Sequence, residues 1–179
     1  RIAGRDACPP EREEPPLSGT SRIAAGRLDF YDFTYKDAAT CYAHLDDYFH
    51  TMLQSVQWGK FDTFGHIPYP MRYMRDRDGQ SVSLDRYQDQ IREILKIIIE
   101  KGRGIEVNTK NWTKKKELYP RVEYLSRMRE MNIPVMVNSD CHYPDLVNDG
   151  RKEVFELLKQ AGFKSTRELV KGKWQDIAL

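Results

Sequence analysis

Cysteine is scarce: Cys8, Cys41 and Cys141 are the three in 179 residues, and none forms a C-x-x-C pair. An odd, scattered set excludes a disulfide framework and points to a reduced, cytoplasmic setting. Charge of one sign is missing too. The 29 basic and 27 acidic side chains nearly cancel, so there is no general electrostatic case for nucleic acid or an anionic membrane as partner. Long apolar runs are absent: Ile97-Ile98-Ile99 is far too short to cross a bilayer, and no secretory signal opens the chain.

What is present suits one ordinary domain with a core. Hydrophobic residues make up 40% and aromatic residues 11%, which excludes a wholly disordered chain. Residues 1–28 differ, with four prolines, few large apolar side chains and no histidine; they read as a disordered leader before an ordered part at 29–179. Thr34 is expected to cap a helix running to about Gln57, with Asp37 in its first turn and Tyr42, Leu45, Tyr48, Phe49, Met52, Leu53 and Val56 on one face. His44 and His50 on that helix are about 240° apart around the axis and read as surface or boundary residues. Ser83 caps a second helix over 84–101, stopped by Gly102. Pro120 suits the first turn of a third, with Val122, Leu125 and Met128 inward. Asp149 is expected to cap a fourth through Ala161, and the tail from Arg167 to form a short strand or hairpin.

Three short strands alternate with these helices, so a parallel sheet in an α/β fold follows. Each strand ends in polar groups. Residues 61–66 end at His66, with Arg72 six positions on. Residues 104–109 carry Glu106 and Asn108 at i, i+2. Val135-Met-Val-Asn138 reads as a strand covered on both faces, running into Asp140 and His142. In an extended chain the last two side chains share a face and can converge on one ion. An arginine fork at Arg72 suits phosphate oxygens. Glu106 and Asn108 either orient metal ligands or simply close a turn, with Asn108 bonding its own backbone. Lys110 belongs to a basic cluster, Lys110-Asn-Trp-Thr-Lys-Lys-Lys116, read as a solvated loop.

The strings FDTFGHIPYPMRY (61–73), GIEVNT (104–109) and VNSDCHYPDLV (137–147) closely resemble the C-terminal part of the PHP-domain histidinol-phosphate phosphatases. ELYPRVEYL (117–125) and FELLKQAGF (155–163) are similar too. The resemblance covers roughly residues 30–179. It implies the C-terminal portion of a distorted (β/α)7 PHP barrel, with a metal cluster at the carboxyl rim. It implies His66, Asp140 and His142 as metal ligands, with Asp140 and His142 catalytic, and Arg72 as the phosphate anchor. Glu106 and Asn108 match a family motif. Pro68 departs from the family, which usually has Asp two positions after the ligand histidine. The family's opening H-x-H strand, its glutamate ligand and its middle histidine have no counterpart before residue 30, so the chain is read as the back half of a barrel.

The activity implied is metal-dependent hydrolysis of histidinol phosphate to histidinol and phosphate. Mixed nitrogen and oxygen ligands suit zinc, manganese or iron. Two other readings stand beside it. One is a PHP phosphoesterase with another small phosphate ester as substrate. The other is a non-catalytic fragment whose exposed sheet edges favour self-association.

Overall fold

The computed structural model describes residues 33–65, 67 and 70–179. The expected leader at 1–28 lies outside the described residues, as does His66. The chain divides into two compact units, one holding Tyr69–Ile94 with the residues up to Trp58, the other Gly59–Pro68 with Leu95–Leu179.

In the first unit, α1 spans Ala38–Trp58. Its cap is Asp37, not Thr34: the Asp37 carboxylate accepts from the Thr40 backbone N–H at 2.7 Å and from the Thr40 hydroxyl at 2.7 Å. These bonds to the ionised form hold the Asp37 carboxyl below its usual range. Leu45, Phe49, Met52 and Val56 are buried as the apolar spacing requires, while Tyr42, Tyr48 and Leu53 at the edges of that face are half-buried. His50 is exposed. His44 is not: only 3% of it is accessible, which corrects the surface reading. It follows Cys41 on the inner face, and Tyr35, just before the helix, covers it with a ring 5.3 Å away and a hydroxyl 3.1 Å from Nδ1.

Arg72 leads into a π-helical turn over Tyr73–Arg77 that buries Met74. The Ser83 hydroxyl accepts from the Asp85 N–H at 3.0 Å, as expected of a cap, and a short 3-10 turn then feeds α2 (Gln88–Glu100). Tyr87 stacks on Phe49 at 4.6 Å and donates to Asp46 at 2.7 Å.

In the second unit, α2 ends where Gly102, at φ 63, lets Arg103 N–H reach Ile98 O at 2.9 Å. Strands β1 (Thr63–Phe64), β2 (Gly104–Asn108) and β3 (Val135–Asn138) form a parallel sheet in that order. The parallel sheet expected from the alternating elements is therefore present. Ile105 pairs with Val135 and Val107 with Val137, and all four are buried on one face. Each such side chain contributes about 1.5–3 kcal/mol on burial. The other face holds Glu106, Asn108, Met136 and Asn138. Since Met136 and Asn138 are half-buried, β3 is not covered equally on both sides.

Between the strands lie α3 (Trp112–Lys115) and α4 (Leu125–Glu130). Leu125 and Met128 point inward, whereas Val122 is exposed, because it falls in a preceding 3-10 turn with different spacing. Pro120 stands ahead of that turn rather than in a helix. Gly150, not Asp149, precedes α5 (Arg151–Gln160). The Asp149 carboxylate is engaged elsewhere, accepting from the Thr113 hydroxyl at 2.6 Å. The tail forms the antiparallel hairpin β4 (Ser165–Val170) and β5 (Lys173–Ala178). Its turn places Lys171 and Gly172 at φ 50 and 76, the two left-handed residues of a type I′ turn.

Candidate functional site

The polar ends of β2 and β3 lie side by side in the second unit. Asn108 holds both its backbone groups against Tyr119, at 2.8 and 3.3 Å, while Thr109 N–H continues the ladder to Asn138 O at 2.8 Å. The Thr109 hydroxyl donates to Asp149 O at 2.6 Å. With its root fixed this way, the loop after β2 is directed at the loop after β3.

Asn108 closes that turn: its Oδ1 accepts the Lys110 N–H at 3.0 Å. Of the two alternatives for this residue, the backbone turn is the one present. Its Nδ2 is buried without a hydrogen-bond partner. Glu106 accepts from Asn138 Nδ2 at 3.1 Å. A Cβ on Gly65 would stand 2.7 Å from the other Glu106 oxygen, so the missing side chain is what admits the carboxylate. Gly65→Ala is expected to push Glu106 off Asn138 and cost about 1 kcal/mol in urea unfolding, because the displaced atom ends a flexible side chain. A moved Asn138 side-chain amide resonance would report the same event.

Asp140 and His142 do converge, though not through extended-strand parity. β3 ends at Asn138, and Asp140 is left-handed at φ 47. An L-residue adopts that region at a cost, least for Asp and Asn. This kink brings Asp140 Oδ1 to 3.7 Å from His142 Nε2. Two ligands bonded at about 2.1 Å to one tetrahedral ion are about 3.4 Å apart, so the pair has the spacing of a shared metal site. The donor set, one carboxylate and one imidazole, suits zinc, manganese or iron. Among the described residues no three His, Cys, Asp or Glu side chains gather for a metal ion.

Lys110 is the member that sequence reasoning missed. Its ammonium is 2.9 Å from Asp140 Oδ2 and 2.9 Å from His142 Nε2. No spacing signal marks it, because β2 ends at Asn108 and Lys110 lies in the turn beyond it. The other lysines of the cluster, Lys114, Lys115 and Lys116, are exposed as expected. Arg72 belongs to the first unit, where its guanidinium lies 5.8 Å from the Tyr73 ring centre.

Known proteins resemble this chain in sequence and in fold. The family model for the PHP domain matches residues 18–110. A probable histidinol-phosphatase of Clostridium acetobutylicum is 29% identical over 139 residues, covering 76% of this chain and 54% of that protein. A second, from Thermotoga maritima, is 25% identical over 66% of this chain and 48% of its own. The chain thus spans about half the length of the curated relatives it matches. A solved histidinol phosphate phosphatase of Lactococcus lactis, complexed with zinc, L-histidinol and phosphate, shares the fold with a TM-score of 0.58. Its identity is 21%, over 82% of this chain and 54% of that one. With the family model matched over more than half of its residues, the chain belongs to the PHP domain family.

Proposed function

We propose that this chain serves the metal-dependent hydrolysis of a phosphomonoester, histidinol phosphate to histidinol and phosphate, in histidine biosynthesis in the cytoplasm. The observation that carries the reading is the Asp140–His142 pair at the carboxyl end of a parallel strand, 3.7 Å apart, in a PHP-family chain. Support for the substrate comes from the relatives' names and from the histidinol and phosphate in the Lactococcus lactis protein. On this reading residues 29–179 are the C-terminal portion of a (β/α)7 barrel, and β1–β3 are three of its strands.

Asp140 and His142, joined by His66, are the residues that would hold a divalent transition ion. When bound, such an ion supplies the Lewis acidity that activates water and neutralises phosphate oxygens. On the family resemblance Arg72 is the phosphate anchor, its fork of donors suiting non-bridging oxygens. The proton for the departing alcohol would come from His142, 65% exposed, where the ion leaves its imidazole free, or otherwise from an upstream residue. Glu106 fixes the Asn138 amide beside them and so holds the loop from which Asp140 kinks.

The test is phosphate release from histidinol phosphate against a panel of small phosphate esters, with metal content measured on the same protein. Preference for histidinol phosphate supports the assignment, and turnover of another ester in its place would transfer it to that substrate. Arg72→Ala is expected to raise KM about tenfold or more, the worth of one charge-assisted phosphate contact, with bound metal unchanged. Unaltered KM and kcat would remove Arg72 from the site. A second reading is a non-catalytic PHP-like module that self-associates through exposed sheet edges. Oligomerisation with concentration and no phosphate release would select it.

A further inference from the structure

We propose that Lys110 is the resident cation of this site, so that its ammonium and a metal ion hold the Asp140–His142 pair in mutually exclusive fashion. The inference rests on the metal-binding reading of that pair. An ammonium has donors and no lone pair, so at 2.9 Å His142 Nε2 must be the acceptor. That lone pair is the one a metal would take. The same holds for Asp140, whose Oδ2 receives the ammonium at 2.9 Å. A dication bound between Asp140 and His142 would stand against a like charge and compete for the same electron pairs.

The lysine is placed rather than stray. Its backbone N–H is fixed by Asn108 Oδ1 at 3.0 Å, and the preceding residue by Asn138 O at 2.8 Å. Its side chain keeps 29% exposure, and its four-carbon stem can swing the ammonium out to water. In the absence of metal the ammonium screens Asp140 from its surroundings and holds the imidazole beside it. Loading the site then requires Lys110 to leave, which lowers the metal affinity of the intact protein.

Zinc affinity, measured on the full chain by competition with a chromophoric chelator, tests this directly. Lys110→Met removes the charge and keeps the length; it is expected to bind zinc at least about tenfold more tightly, the scale on which neighbours of metal ligands act. Lys110→Gln, a second neutral variant, should follow it. Lys110→Arg keeps the charge and should bind no tighter than the parent. Equal, measurable affinity in all four proteins overturns the exclusion and leaves the metal assignment standing. Tightening in Lys110→Arg as large as in Lys110→Met overturns it as well, since charge would not be the cause. No zinc bound by any of them overturns the exclusion together with the metal reading of Asp140 and His142.

Discussion

Asp140→Gly is expected to weaken metal binding about a hundredfold or more while leaving the fold as stable as before. The two halves of that result have different causes. On the metal side, one of the two proposed ligands is removed, and the remaining imidazole is 65% exposed. On the stability side, two small effects oppose each other. The Lys110 ion pair is about one-third exposed on each side, so its loss costs at most about 1 kcal/mol. Relief of the left-handed backbone at φ 47 returns about the same, because glycine enters that region freely. Asp140→Ala lacks the relief and should be less stable than the glycine variant by about 1 kcal/mol, with the same loss of metal. Metal titration and urea unfolding on the three proteins check both halves. Unchanged metal affinity in the glycine variant would end the ligand assignment. A loss of several kcal/mol would recast Asp140 as a structural residue.

The left-handed backbone of Asp140, at the candidate site, is also where the sequence stops being readable. The apolar alternation of β2 and the run before Asp140 predict strands, and parallel pairing follows from the helices between them. Residue types at the strand ends name Asp140 and His142. Their meeting, however, depends on a backbone kink that no spacing rule contains, since i, i+2 parity holds only while the chain stays extended. Lys110 was lost for a related reason: a lysine in a basic cluster reads as solvated until the opposite loop is in place. Caps went astray by one to three positions for tertiary reasons. Thr34 and Asp37 are both competent, and the Tyr35 N–H, bound to Asp78 at 2.8 Å, holds that segment outside the helix so that Asp37 caps. Asp149 is competent as a cap but is engaged by Thr113. His66 and the leader lie outside the described residues, and their roles rest on the resemblance.

Acid is expected to remove about 3 kcal/mol of stability between pH 6.5 and 4, through His44 alone. Burial pushes the His44 imidazole down from 6.5 to about 4, since a charged ring would lose its hydration among Tyr35, Phe33 and Cys41. The unfolded chain therefore takes up a proton at His44 below pH 6.5, while the folded chain takes it up only near pH 4. The unfolded state binds more protons throughout that window, so stability falls as the pH falls through it and is complete above it. Carboxylates do not mimic this. Asp37 and Asp78 have depressed values, so their contribution is retained down to the ordinary carboxylate range and lost only below it. His44→Gln keeps an amide within reach of the Tyr35 hydroxyl and has no proton to exchange. It should unfold more easily at pH 7.5, by about 1–2 kcal/mol for the imperfect fit, yet show a nearly flat urea midpoint from pH 6.5 to 4.5. Parallel profiles for the parent and the glutamine variant would mean that the buried imidazole is not the group that titrates.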